Sequence, residues 1–227
     1  MDVGLASFSG STPAFPALAA RMARLPLHEL CPAGAGAEVA AWGLALGLAA
    51  SWAGPVFWAG EEGAFAEDGA PYPPGLAQFG LDPSKLLVIR ADKREDALWA
   101  AEQCLAAPGA IVICALGARG KPLDLKATRR LLLFAERNRA RCLLVRPHAE
   151  ASAAWTRWRV ASAPSDAHDR ELGAPAFAIE LVRSRGGPAG ARFIIQWNAH
   201  ERCFTDMARH RSAASGGGQA DPIRVRA

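Results

Sequence analysis

The residues from Leu27 to Ala50 (LHELCPAGAGAEVAAWGLALGLAA) are laid out as a short strand, a Gly/Pro-rich turn and an Ala-rich helix, the arrangement that cradles a phosphate. The chemistry of such a loop is G-x-x-x-x-G-K-[ST]: backbone amides around the phosphates, a lysine on their outer oxygens and a hydroxyl on Mg²⁺. Gly34 and Gly36 are present, but the lysine and hydroxyl positions hold Ala37, Glu38 and Val39. No lysine occurs between Met1 and Ser84. A carboxylate at Glu38 suits the positive end of a helix and repels a triphosphate. Two readings stand at this point: a nucleotide-binding architecture that has lost its nucleotide, and an ordinary strand–turn–helix, since Gly-rich turns before helices are common.

Other reactive residue types give less. Glu61 and Glu62 are a carboxylate pair, but neighbours on an extended chain point to opposite faces. The five histidines (His28, His148, His168, His200, His210) lack metal-ligand spacing. The five cysteines (Cys31, Cys104, Cys114, Cys142, Cys203) are scattered, odd in number and free of C-x-x-C spacing, which argues for reduced thiols and against a zinc site. No G-x-S-x-G elbow is present, so hydrolase chemistry has no support.

The elements that must position these residues follow from the pattern of apolar runs. At 227 residues and 51% hydrophobic content, one domain with a packed core is expected. No apolar run reaches the length of a membrane span, and the N-terminus does not read as a signal peptide, so a cytoplasmic protein is expected. Residues 1–16 read as unstructured, and Pro16 to Leu25 as a short helix. PVFWA (55–59), LLVIRA (86–91), AIVICAL (110–116) and CLLVRP (142–147) read as buried strands. Helices are expected over 75–79, over 92–107 with Asp92 as cap, and over 124–138 with Asp124 as cap. Apolar strands spaced by helices predict a mostly parallel sheet with helices on both faces. Residues 157–161, 177–182 and 191–197 alternate more, and predict a C-terminal antiparallel extension closed by a hairpin. The boundaries are then an N-terminal segment (1–26), an α/β domain (27–207) and a disordered basic tail (208–227), whose IRVRA terminus is a candidate docking motif.

Strand, Gly loop, helix, strand ending in acid, two further βα units and a closing hairpin is the order of a RecA-type core. Over most of residues 27–197 the chain resembles that core, and more closely the ImuA family, the RecA-like proteins of bacterial mutagenesis cassettes. The stretches that carry the resemblance are LHEL (27–30), PVFW (55–58), PGLAQFGLDPSKLL (74–87), ALWAAEQCL (97–105), TRRLLLFAE (128–136), TRWRVASAPS (156–165) and ELVRSRGG followed by Trp197. The resemblance implies a non-enzymatic accessory factor in DNA-damage-induced mutagenesis. Its implied partners are an ImuB-type inactive Y-family polymerase, the alpha subunit of an error-prone replicative-type polymerase, and RecA.

Position by position, the resemblance is mostly one of losses. The Walker A lysine and hydroxyl fall at Ala37 to Val39. The Walker B strand ends at Cys114, which holds no Mg²⁺. Glu61 matches the glutamate that positions attacking water, but it has no phosphate cradle or metal ligand beside it. The implication is no cofactor, no ATP hydrolysis and no tight ATP binding. The segments that grip DNA in RecA are short here, Gly117–Leu123 and His148–Trp155, so no RecA-like filament is expected. A SulA-like inhibitor of cell division and a weak RecA-like ATPase or recombinase modulator are the alternatives.

Charge is unevenly spread. Residues 1–100 carry 6 Lys/Arg against 11 Asp/Glu, a net −5; residues 101–227 carry 20 against 11, a net +9. A basic half favours a nucleic-acid backbone or an acidic protein. Nine cations lie between Arg119 and Arg146, among them Lys121, Arg129 and Arg130. Trp155 and Arg157 upstream of Arg183 and Arg185 add aromatic and guanidinium groups suited to gripping DNA or a partner. A solvated helix face is the plainer reading of each cation in the run, and a sheet cap that of the Trp/Arg group; Trp158 and Trp197 are expected in the core, and Trp155 is the better candidate for exposure.

Overall fold

The computed structural model describes residues 14–119, 121–147, 150–165 and 173–207. The expected tail (208–227) with its IRVRA motif, His148, His168, His210 and residues 1–13 lie outside the described residues.

The chain begins with α1 (Phe15–Met22), whose Phe15 and Met22 are buried. Strand β1 (Leu27–Pro32) leads through the glycine turn into α2 (Glu38–Ser51). Then come β2 (Val56–Glu61), α3 (Glu62–Asp68), α4 (Pro73–Gln78) and a 3-10 turn (Pro83–Lys85). Alternation continues with β3 (Leu87–Ala91), α5 (Arg94–Leu105), β4 (Ile111–Ala115), α6 (Leu125–Asn138) and β5 (Arg141–Val145). Four strands close the described chain: β6 (Thr156–Ser162), β7 (Ala176–Ser184), β8 (Arg192–Asn198) and β9 (Cys203–Asp206).

All nine strands form one sheet in the order β3-β2-β4-β5-β1-β6-β7-β8-β9. The pairs from β3 to β6 are parallel, and those from β6 to β9 antiparallel. The expected fold class is therefore observed: an α/β core with helices on both faces and an antiparallel extension. Strand β6 belongs to both regimes, parallel to β1 on one side and antiparallel to β7 on the other.

Two apolar layers sandwich the sheet. One lies under α2 and gathers Trp42, Trp58, Trp158, Trp197 and Phe204; the other lies under α5 and α6 and gathers Ala101, Leu105, Leu131, Val112 and Leu144. Helix α2 is apolar around most of its circumference, as a helix buried beneath a sheet must be. Its glycines have a packing reason. A Cβ at Gly47 would stand 2.2 Å from the Phe204 ring, and one at Gly43 2.9 Å from Phe177. These two positions, one turn apart, let the antiparallel strands close onto the helix despite the ~1 kcal/mol that glycine costs inside a helix.

Four expectations need correction. LLVIRA is not a buried strand: β3 is the sheet edge, with Leu87 53% and Val88 37% exposed. Asp92 does not cap α5; the cap position is Lys93, with no side-chain bond. Asp124 does cap α6, accepting from the Ala127 amide at 2.7 Å, but of Leu125, Thr128, Leu132 and Ala135, the apolar row whose spacing predicts the core side of this helix, Leu125 is exposed. Helix α3 and strand β9 have no counterpart in the sequence reading.

Candidate functional site

The Gly34–Val39 turn sits at the C-terminal ends of the parallel strands, where ligands bind in open α/β sheets. It is short. The Ala33 amide is taken by the Val160 carbonyl at 2.8 Å, and the Ala37 amide by the Gly34 carbonyl at 3.1 Å. Gly36 has φ +82°, a left-handed conformation that favours glycine, whereas a Cβ at Gly34 would meet nothing.

Beside the turn is a small, partly open cleft of about 40 Å³. It is lined by Glu38, Trp42, Glu67, Asp68, Arg146 and Pro147, among others. Three carboxylates therefore stand where a phosphate cradle would need cations. Burial, followed by the charges of Glu38 and Glu67, raises the Asp68 carboxyl above its ordinary range. One offset is visible: Arg119 reaches Glu67 at 2.8 Å from an exposed position. Among the described residues no cluster of His, Cys, Asp or Glu is arranged to hold a metal ion. Cys114 lies within β4 and is fully buried, and burial pushes its thiol up to about 12.

Glu61 ends β2 and is held on all sides. Arg94 grips both of its oxygens at 3.1 Å, and the Gly117 amide donates to Oε2 at 2.6 Å. Arg94 continues to the carbonyls of Gly117, Arg119 and Lys121. The pair thus clamps the loop after β4, and both carboxylate oxygens are already engaged. Glu62 opens α3 and pairs separately with Arg90.

A second ionic cluster went unread in the sequence. Glu29, at the centre of β1, is fully buried and binds Arg146 at 2.7 Å and Arg157 at 2.6 Å. Arg146 also holds Glu150 at 2.8 Å. Arg157, expected on a partner or DNA surface, is therefore turned inward. Arg146 leaves the expected basic face for the same reason. The available signal was the glutamate itself: a charge in an apolar strand requires a buried counter-charge. Arg141 is likewise internal, donating to the carbonyls of Ala23, Ala53 and Gly109, and burial lowers its pKa.

The remaining candidates divide. Arg183 donates to the Ser152 carbonyl at 2.7 Å, and the exposed Arg185 lies 5.7 Å from the ring centre of half-buried Trp155. Trp158 and Trp197 are core, as expected. Lys121 and Arg129 are exposed. Arg130 is exposed but tied to Glu102 at 2.6 Å. The buried side of α6 meets the Trp155 segment, with Thr128 accepting from the Ala153 amide at 3.1 Å, while Arg129 and Arg130 lie on the exposed side of the helix.

Comparison with known proteins agrees with this geometry. No family model matches the sequence. Protein ImuA from two strains of Caulobacter vibrioides is 31% identical over 167 residues, covering 65% of this chain and 67% of the relative. The chain belongs to the ImuA family. The RadB recombinase crystal structure superimposes with a TM-score of 0.55 at 15% identity, over 80% of this chain and 90% of that one. That likeness gives this ImuA-family chain a RecA-like fold. No described helix is long and apolar enough to cross a membrane.

Proposed function

We propose that this ImuA-family protein is a non-catalytic platform in DNA-damage-induced mutagenesis, docking an ImuB-type inactive Y-family polymerase in the cytoplasm for error-prone translesion synthesis. Membership of the ImuA family is the observation that carries the assignment to the mutagenesis cassette. The error-prone replicative-type polymerase and RecA are the further partners of this reading. The non-catalytic part draws support from the strand-end cleft. Its three carboxylates oppose a triphosphate, and Glu61 is already bound by Arg94.

The experiment is damage-induced mutation frequency at matched survival, in a strain lacking the gene against the wild type. A fall to the uninduced level is expected; an unchanged frequency removes the reading. ATP turnover no higher than that of a Glu38→Ala variant is expected, and turnover well above it would restore the enzymatic alternative.

A further inference from the structure

Helix α6 is amphipathic, and its buried residues Thr128, Leu131, Leu132 and Ala135 fix which way it faces. Directly opposite them, at spacings of three, four, seven and eleven residues, stand Lys126, Arg129, Arg130, Leu133 and Arg137, all exposed. The stripe runs about 16 Å along the helix axis. Of its four cations only Arg130 meets a carboxylate among the described residues, Glu102 of α5. One turn before Glu102, on the face of α5 turned away from the sheet, Trp99 is 60% exposed. The other six tryptophans are buried or half-buried.

We infer that the outward face of α6, with Trp99 beside it, is a docking surface for single-stranded nucleic acid. Charge complementarity selects a polyanion, since three cations in one row lack counter-charges. The row also argues against a protein occupant. Interface cores are depleted of charge, whereas here the central apolar residue, Leu133, has charged residues at all four neighbouring helical positions, the cations Arg129, Arg130 and Arg137 outnumbering the single Glu136. Trp99 selects the single strand, because unpaired bases stack on exposed aromatic rings and paired ones do not offer their faces. The surface lies on the outside of the helical layer, opposite the buried residues Thr128, Leu131, Leu132 and Ala135. It stands apart from the role proposed above. DNA binding without a mutagenesis phenotype, or the reverse, would separate the two.

The test is titration of the full chain against a labelled oligo(dT) of roughly 20 nucleotides, read by anisotropy and tryptophan emission. Binding should weaken about 20-fold between about 50 and 200 mM salt, as for roughly three neutralised phosphates on a single strand. Arg129→Glu with Arg137→Glu should lower affinity at least ~10-fold at an unchanged melting temperature. Trp99→Ala should lower it several-fold and abolish the quench of emission. Absence of binding at the lower salt overturns the inference. So does binding indifferent to the charge reversals, or equal binding of a blunt duplex that Trp99→Ala leaves unchanged. Tighter binding of polyglutamate than of oligo(dT) also overturns it, and makes the face a protein-docking one.

Discussion

The sheet interior and the outer face of α6 both hold cations, and they use them differently. Inside the fold, Arg146, Arg157 and Arg94 are spent on carboxylates: Glu29 for the first two and Glu61 for the third. On α6, Lys126, Arg129 and Arg137 meet no carboxylate among the described residues. The difference teaches that net charge along a chain is a poor guide to surface charge when the fold buries some cations as structural parts. The +9 of the second half is partly an internal matter.

The comparison can be broken most directly at its buried end. Glu29→Gln leaves Arg146 buried with half its counter-charge, and a loss of about 3–5 kcal/mol is expected in urea unfolding. A loss within experimental error would mean that Arg146 and Arg157 are no more structural than the α6 cations. Gly47→Ala tests the packing that holds the antiparallel strands on α2. Its methyl must displace the Phe204 ring, and about 1–3 kcal/mol should be lost.

A pH titration sharpens the same contrast. His28 is buried, donating from Nε2 to the Met22 carbonyl at 3.0 Å and accepting from the Thr156 hydroxyl at 2.7 Å. Burial lowers its pKa from 6.5 to about 4. The unfolded chain therefore takes up this proton first, so its contribution to stability is complete above pH 6.5 and falls as the pH drops toward 4. A slope approaching ~1.4 kcal/mol per pH unit within that window is expected. It should flatten in His28→Gln; an unchanged slope would assign it to other groups.

Smaller effects belong to the loop clamp and the surface. Arg94→Ala frees Glu61 and the loop after β4, and about 1–3 kcal/mol should go with it, with faster amide exchange at Gly117. Arg129→Ala and Arg137→Ala should leave the melting temperature where it was.

Much of the architecture was legible because apolar runs alternate with amphipathic helices at the right lengths, and because Asp124 announces α6. Helix α3 was missed because its seven residues contain two glutamates, an aspartate and a glycine, with only Ala64 and Phe65 buried. Strand β9 has four residues, too few for a period to register. The edge position of β3 could not be read either, since Leu87 and Val88 are as apolar as their central counterparts and only strand order exposes them. In the site, the missing lysine at Ala37 was plain from the motif. The fate of Arg157 was not, because its partner Glu29 is 128 residues away. Trp99 escaped notice because an exposed tryptophan and a core tryptophan look alike until the helix face is known.

Strand β1 is inserted between β5 and β6, whose residues lie more than a hundred positions later. During synthesis it therefore waits, with Leu27 and Leu30 uncovered, until about residue 160 has left the ribosome, because both hydrogen-bonding neighbours arrive late. The α2 helix and its Gly43–Gly47 seat wait still longer, for Phe204. Birth of this molecule is consequently a late event, and a nascent chain stalled midway leaves its first strand without either neighbour.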